Sequence, residues 1–167
     1  MIITNKENVF HLQTRKTSYI FRVLPSGHLE NLYYGKKIKE NELCNEYKYV
    51  PFSPYYEKTD EYHSLDNLKQ EFSYYGYGDL RATALRVLDL KSGSDVTNYI
   101  FKSANIFAGR KAIAGLPYAE GDCETLEIVC EDKVTKSELC LYYTVFYDTD
   151  VITRYFVLKN NGEKMKK

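Results

Sequence analysis

The amino-acid sequence predicts a mainly β protein, an antiparallel β-sandwich with one short helix near residues 65–72. First, apolar and polar residues alternate along most of the chain, which is the period of a strand and not of a helix. Second, aromatic residues make up 15% of the chain and 17 residues are tyrosine, which favours strands. Third, short turn clusters separate the alternating runs at the spacing that is typical of sandwiches.

The strands are predicted from this alternation. Residues 17–24 place Tyr19, Phe21 and Val23 on one face of the first clear strand. Three later strands are predicted at residues 125–130, 138–147 and 151–159. The second of these carries a long row of apolar residues on one face, with Glu138 and Thr144 on the other.

One stretch shows a different pattern. Ser64 can cap a helix, and Leu65, Leu68 and Phe72 follow at helical spacing, so a helix of about two turns is predicted there. The preceding residues 40–63 have no periodicity and contain two prolines. A loop of that length inside a compact domain is usually functional or disordered.

A hairpin is predicted around residues 133–136, and a symmetric pairing of its strands would bring Cys130 near Cys140. The sequence contains four cysteines and no CxxC pair, so a zinc site is disfavoured. Two interpretations of the neighbouring cysteines remain open, a disulfide and a pair of reduced core thiols. We favour reduced thiols, because disulfides are rare in the cytoplasm.

The end of the chain carries a strong tight-turn signal, Asn160-Asn161-Gly162, after a long predicted strand. A hairpin needs a return strand, but only five residues follow the turn. The turn is either an exposed tail or the start of a hairpin whose second strand lies further along a longer natural protein. We favour the longer protein.

Charge and composition exclude several classes of function. The formal net charge is zero, so neither a nucleic-acid footprint nor a basic membrane-binding patch is indicated. The chain has no apolar run long enough to span a membrane. Its first residues lack the pattern of a secretory signal. We therefore expect a cytoplasmic protein that binds neither nucleic acid nor membranes.

The motifs of phosphate loops, zinc proteases, serine hydrolases and calcium-binding loops are absent from the sequence. The histidines lack the spacing of metal ligands; they are His11, His28 and His63. Asp79 and Arg81 are more informative, because residues i and i+2 of a strand share a face and can form an ion pair. Such a pair would either hold the strand in place or contact a ligand or a neighbouring domain.

Several stretches together resemble one family. They lie, in order, at residues 10–38, 74–87, 115–129 and 141–164, and include LYYGK, YGYGDLR, GLP, ETLEI and DVITR. Each stretch alone is a weak signal, but the ordered set resembles the amino-terminal domain of family 36 α-galactosidases, which are glycoside hydrolases. The resemblance covers nearly the whole chain.

The resemblance implies a large β-sandwich domain, a supersandwich, followed by a (β/α)8 barrel and a small β domain. Residues 1–167 would then be an amino-terminal domain truncated before the barrel. Both catalytic Asp residues of the retaining mechanism lie on the barrel, so no catalytic residue is expected in this chain. The resemblance further implies no metal or cofactor, a tetrameric full-length enzyme, and terminal α-galactosides of the melibiose or raffinose type as substrates.

Candidate site residues also follow from the resemblance. In related tetramers a loop before an FSP motif, here residues 52–54, brings an acidic residue to a neighbouring subunit's sugar pocket. The position that corresponds to it is Tyr49, and the nearest acid is Glu46, so these two are the candidate substrate-binding residues. Asp79 and Arg81 match a family segment, although Leu80 stands where an aromatic residue is common. They are candidates for a structural or domain-contact role.

Two other classes of function remain open. The first is a stand-alone carbohydrate-binding module, in which exposed tyrosines form a sugar platform; they are Tyr47, Tyr49, Tyr55 and Tyr56. The second is a purely structural or interaction domain, which would expose an apolar face for its partner.

Overall fold

The structure is a computed structural model that describes residues 2–4, 8–39, 65–66 and 68–162. These residues form two four-stranded sheets in which every neighbouring pair is antiparallel. The first sheet contains β1 (Ile2–Thr4), β2 (Val9–Gln13), β3 (Thr17–Val23) and β4 (Leu29–Lys36). The second contains β5 (Ile100–Ala108), β6 (Glu124–Asp132), β7 (Ser137–Phe146) and β8 (Val151–Asn160).

Each sheet is a simple meander, because strands that follow one another in sequence are also neighbours in space. The predicted strands at residues 17–24, 125–130, 138–147 and 151–159 correspond to β3, β6, β7 and β8. The mainly β sandwich that the alternation predicts is therefore confirmed.

The core lies between the sheets and is rich in aromatic side chains. Phe21 on β3 lies between Phe10 on β2 and Tyr143 on β7, with ring centroids 5.1 Å apart in both pairs. Leu126, Ile128 and other alternate residues of the second sheet complete the same core. Burying a side chain such as Phe21 contributes about 1.5–3 kcal/mol, so these contacts hold the sheets together.

Strand β7 is buried on both faces, including the face on which the sequence places Thr144. Leu141 and Tyr143 face the core, while Cys140, Tyr142 and Thr144 on the other side are also at most 3% exposed. The outer face is covered partly by Tyr155 of β8, which stacks on Tyr142 with ring centroids 4.7 Å apart.

The helix predicted near residues 65–72 is wrong for the part of that stretch that the structure describes, which contains turns and bends. The backbone N–H of Asn31 donates to the Lys69 carbonyl at 2.8 Å, and the backbone N–H of Glu71 donates to the Leu29 carbonyl at 3.0 Å. The segment thus pairs with β4, because a two-turn helix is marginal without tertiary support. Its apolar side chains are buried as the spacing predicts; they are Leu65, Leu68 and Phe72.

The hairpin between β6 and β7 is confirmed, with the symmetric pairing about residues 133–136, but this pairing does not place the two cysteines opposite each other. Cys130 lies opposite Leu139, and Cys140 lies opposite Val129. Successive residues of a strand face opposite sides of a sheet, so Cys140 and the neighbouring Leu139 that pairs with Cys130 face opposite sides, and so do the two thiols. Cys130 and Cys140 are reduced and carry no disulfide.

Residues 73–99 link the two sheets with little regular structure. A tight turn contains Gly76 and Gly78, with φ of +100° and +102°, a region that favours glycine. Gly76 lies very close to the backbone of Val96, since an added Cβ would lie 2.6 Å from the Val96 Cα. This turn carries Asp79, one of the candidate site residues. No helix within the described ranges is long and apolar enough to cross a membrane.

Candidate functional site

The two candidate sugar contacts, Tyr49 and Glu46, lie outside the described residues. The same holds for the tyrosines of the proposed sugar platform at positions 47, 55 and 56. Their roles stay predictions. The structure does describe Asp79 and Arg81, together with a second polar cluster that lies between the sheets.

Asp79 and Arg81 form an ion pair, with 2.8 Å between Arg81 Nε and Asp79 Oδ1. The Asp79 carboxylate is fully buried, and it also accepts hydrogen bonds from the Arg81 amide at 3.1 Å and from Gln70 Nε2 at 2.6 Å. Hydrogen bonding to Asp79 raises the pKa of the Arg81 guanidinium above its ordinary value. The carboxylate is thus held by fixed donors.

Arg81 connects this turn to the segment that pairs with β4. Its Nη2 donates to the carbonyls of Leu65 at 2.7 Å and Leu68 at 3.3 Å. Half of the Arg81 side chain remains exposed, so the ion pair fixes the fold and still presents a charged surface to solvent. A contact between this surface and a neighbouring domain stays a prediction.

The second cluster surrounds Glu71, whose side chain has no exposed surface. Four side chains donate to its carboxylate: Tyr19 at 2.6 Å, Asn31 at 2.8 Å, Tyr143 at 2.8 Å and Arg154 at 3.0 Å. The donors come from β3, β4, β7 and β8. Glu71 therefore ties both sheets to the segment that carries it.

The electrostatics of this cluster keep the tyrosines protonated. Burial, and then the negative charge of Glu71, raises the pKa of Tyr143 well above its ordinary value. The same two causes raise the pKa of Tyr19. Both hydroxyls therefore remain donors, and the carboxylate keeps its full set of hydrogen bonds.

Sequence reasoning missed the Glu71 cluster. Two signals were present: Glu71 stands beside Phe72 at the end of an apolar pattern, and Arg154 interrupts the apolar strand that follows Asp150. A charge inside an apolar stretch is buried only when it is paired. The sequence, however, gives no means of pairing two charges that are 83 residues apart.

The described histidines are held by hydrogen bonds to neighbouring polar side chains. His11 Nε2 lies 2.9 Å from Ser18 Oγ, and the His28 ring lies 2.9 Å from both Ser26 and Asn98. Within the described ranges, no group of three or more His, Cys, Asp or Glu residues could hold a metal ion. His63 lies outside those ranges.

The two meander sheets and the polar clusters that tie them together define an all-β sandwich domain. A family model identifies which family of such domains this is, because residues 27–166 match the glycosyl hydrolase family 36 N-terminal domain. The chain belongs to this family.

Curated relatives with similar sequences are α-galactosidases. Alpha-galactosidase AgaA from Geobacillus stearothermophilus is 37% identical over 94% of this chain and 22% of its own length. The bifunctional alpha-galactosidase/sucrose kinase AgaSK from Mediterraneibacter gnavus is 37% identical over 97% of this chain and 18% of its own length. The chain thus spans about a fifth of the length of these relatives.

Solved structures agree with the sequence comparison. The crystal structure of the family 36 α-galactosidase AgaB from Geobacillus stearothermophilus matches with a TM-score of 0.88 and 34% identity, over 99% of this chain and 23% of that chain. A variant of AgaA from the same organism, in complex with raffinose, matches with a TM-score of 0.82 and 36% identity, over 95% of this chain and 23% of that chain.

Proposed function

We propose that this chain is the amino-terminal domain of a longer α-galactosidase that hydrolyses terminal α-galactosides of the melibiose and raffinose type with retention. The observation that carries the proposal is the match to α-galactosidases over at least 94% of the chain at 37% identity. The raffinose complex of the AgaA variant supports the substrate class.

In this proposal the domain itself is not catalytic. A retaining glycosidase needs two carboxyl groups about 5–5.5 Å apart that face the sugar. The buried carboxylates in the described part of the chain are instead occupied by protein donors. Four side chains surround Glu71, Arg81 and Gln70 hold Asp79, and the amides of Asn98, Val134 and Thr135 hold Asp132. These bonds favour catalytic acids elsewhere in the longer enzyme.

The proposal extends to partners and location. The full-length enzyme would be a cytoplasmic tetramer, in which the loop with Tyr49 and Glu46 reaches a neighbouring subunit's sugar pocket. The half-exposed Arg81 is the candidate contact with the catalytic domain.

The test compares two proteins with the same α-galactosides, a chromogenic one and raffinose. One is the purified chain of residues 1–167, and the other is the product of the complete reading frame that contains it. We expect turnover from the complete product and none from residues 1–167. Turnover by a clean preparation of residues 1–167 would contradict the non-catalytic role. A complete reading frame without galactosidase activity would contradict the proposed function.

A further inference from the structure

A cavity of about 150 Å³ opens between the two sheets, beside the Glu71 cluster. Its walls come from β3, β4, β7, the start of β8 and the turn before β8. The side chains that line it and enter the argument are Tyr19, Tyr34, Tyr143, Asp150, Ile152 and Arg154. We refer to this space as the Tyr34 cavity.

Tyr34 gives the cavity an exposed aromatic wall. Its side chain is 70% exposed, although it is held by an edge contact with Tyr19 at 5.6 Å between ring centroids. Tyr19 is itself fixed by its hydrogen bonds to Glu71. A tyrosine ring that is positioned but uncovered offers an apolar surface with a polar tip, which suits the C–H face of a sugar ring.

Arg154 supplies fixed donors at the same cavity. Its Nη1 donates to Glu71 at 3.0 Å and to Tyr19 at 3.1 Å, and these bonds set the position of the guanidinium. The side chain is still 45% exposed. A guanidinium carries five N–H donors in a rigid plane, so this one can also donate to a hydroxyl in the cavity.

Asp150 supplies a fixed acceptor. It adopts a φ of 61°, a left-handed conformation that Asp tolerates better than most residues. Its Oδ1 accepts hydrogen bonds from the Thr14 hydroxyl and from the Lys16 amide, the latter at 3.2 Å. Hydrogen bonding to Thr14 lowers the pKa of Asp150, so the group is an ionised acceptor at neutral pH.

Charge and size restrict the ligand. The positive charge of Arg154 is paired with Glu71, and the negative charge of Asp150 lies near Lys16. Because each charge has a counter-charge, the cavity favours a neutral molecule over an anion. Pockets for drug-sized ligands measure about 300–1,000 Å³, so 150 Å³ suits a single small ring.

We propose that the Tyr34 cavity binds one neutral hexopyranose unit, with the sugar ring stacked on Tyr34 and its hydroxyls bonded to Arg154 and Asp150. This binding site goes beyond the proposed function, because it requires no catalytic residue and belongs to this domain alone. It also differs from the sugar platform of residues 47–56, with which it shares no residue.

The test is an NMR titration of residues 1–167 with methyl α-galactoside and, separately, methyl α-glucoside. We expect saturable shifts of the amides of Thr17, Ile152 and Arg154, with affinity in the millimolar range. Tyr34→Ala should weaken binding by about fivefold or more, because the stacking surface is lost. Tyr34→Phe should bind nearly as well as the original chain, because it keeps the ring.

Tyr118→Ala is the matched control. Tyr118 is 56% exposed, lies against Arg110 and does not line the cavity, so its removal should leave the affinity unchanged. Arg154→Lys provides a second variant, which keeps the positive charge beside Glu71 but loses the planar donors. It should also weaken binding, and circular dichroism checks that each variant is folded.

Several results would overturn the proposal. They are the absence of saturation with either sugar, equal affinity of Tyr34→Ala and the original chain, and shifts confined to residues away from the cavity. Displacement of the sugar by inorganic phosphate would also overturn it, because the site would then select an anion. None of these results affects the turnover assay of the complete enzyme, so the two proposals can fail separately.

Discussion

At the scale of single residues, Glu71 is the buried charge that connects the two sheets. Its carboxylate receives donors from four strands, and its side chain has no exposed surface. A buried charge is expensive unless it is paired and hydrogen-bonded. The cluster therefore favours this arrangement of the sheets, since moving them apart would take hydrogen-bond donors away from a buried charge.

The first prediction concerns Glu71→Gln. The amide keeps one acceptor oxygen but turns an NH2 group toward side chains that are themselves donors, which leaves buried groups unpaired. We expect a loss of about 2–4 kcal/mol in the free energy of unfolding, measured by urea unfolding at neutral pH.

Asp95→Asn is the matched control for this carboxylate-to-amide change. Asp95 pairs with Arg86, whose side chain is 67% exposed, so the variant should lose no more than about 1 kcal/mol. Equal losses for the two variants would contradict the role that we assign to Glu71.

The second prediction concerns the reactivity of the cysteines. Burial, with a smaller contribution from Cys140, raises the pKa of Cys130 to about 12. Because the thiolate is the nucleophile, Cys130 should react slowly with iodoacetamide at pH 8, and its rate should rise as the pH approaches that pKa. Partly exposed Cys123 should react faster, as measured by peptide mass spectrometry. A Cys130–Cys140 cross-link after mild oxidation would contradict the register of the hairpin.

At the scale of elements, the strands could be predicted from the sequence and the segment after residue 64 could not. Alternation predicted β3 and β6 because each of them has an apolar face against the core. The spacing of Leu65, Leu68 and Phe72 predicted burial correctly and helix wrongly. Those three side chains reach the core from a segment of turns and bends whose backbone bonds to β4, and no local signal in the sequence shows that partner.

The third prediction compares two glycines in one turn. Gly76 and Gly78 have nearly equal φ values of +100° and +102°, so alanine is strained at both, by about 1–3 kcal/mol. At Gly76 the new Cβ would also lie 2.6 Å from backbone of Val96, whereas at Gly78 nothing lies within 4 Å.

Gly76→Ala should therefore be the more destabilising variant. We expect it to lower the free energy of unfolding by about 1–3 kcal/mol more than Gly78→Ala does, as measured by thermal or urea unfolding. Gly78→Ala is its control, because it shares the strain and lacks the clash. If the two variants unfolded at the same urea concentration, the close approach of the turn to Val96 would be contradicted.

At the scale of the whole molecule, the packing of the two sheets could not be predicted from the sequence. The residues that cover a sheet face come from distant parts of the chain. Strand β7 shows the difficulty. Its outer face carries Tyr142, whose hydroxyl donates to Glu127 and accepts from Lys111 at 2.9 Å. Lys111 comes from the connection after β5, so the face of β7 that carries Tyr142 and Thr144 is covered partly by a segment about thirty residues away.

Among the residues that the structure describes, β8 is the outermost strand of the second sheet. This ten-residue strand exposes four large apolar side chains by 36–42%; they are Val151, Phe156, Val157 and Leu158. A long apolar edge of this kind is a template for pairing with another strand. The edge is therefore a candidate site for pairing with a partner strand.

The last prediction follows from this edge. In the absence of another partner, residues 1–167 should associate reversibly at high protein concentration, because two β8 edges can pair with each other. Val157→Lys places a charge on the edge and should shift the equilibrium toward monomer in sedimentation velocity experiments. Val134→Lys is the control, because Val134 is 91% exposed but lies in the β6–β7 turn. A chain that stays monomeric at every concentration, or equal effects of the two lysines, would show that the exposed edge does not drive association.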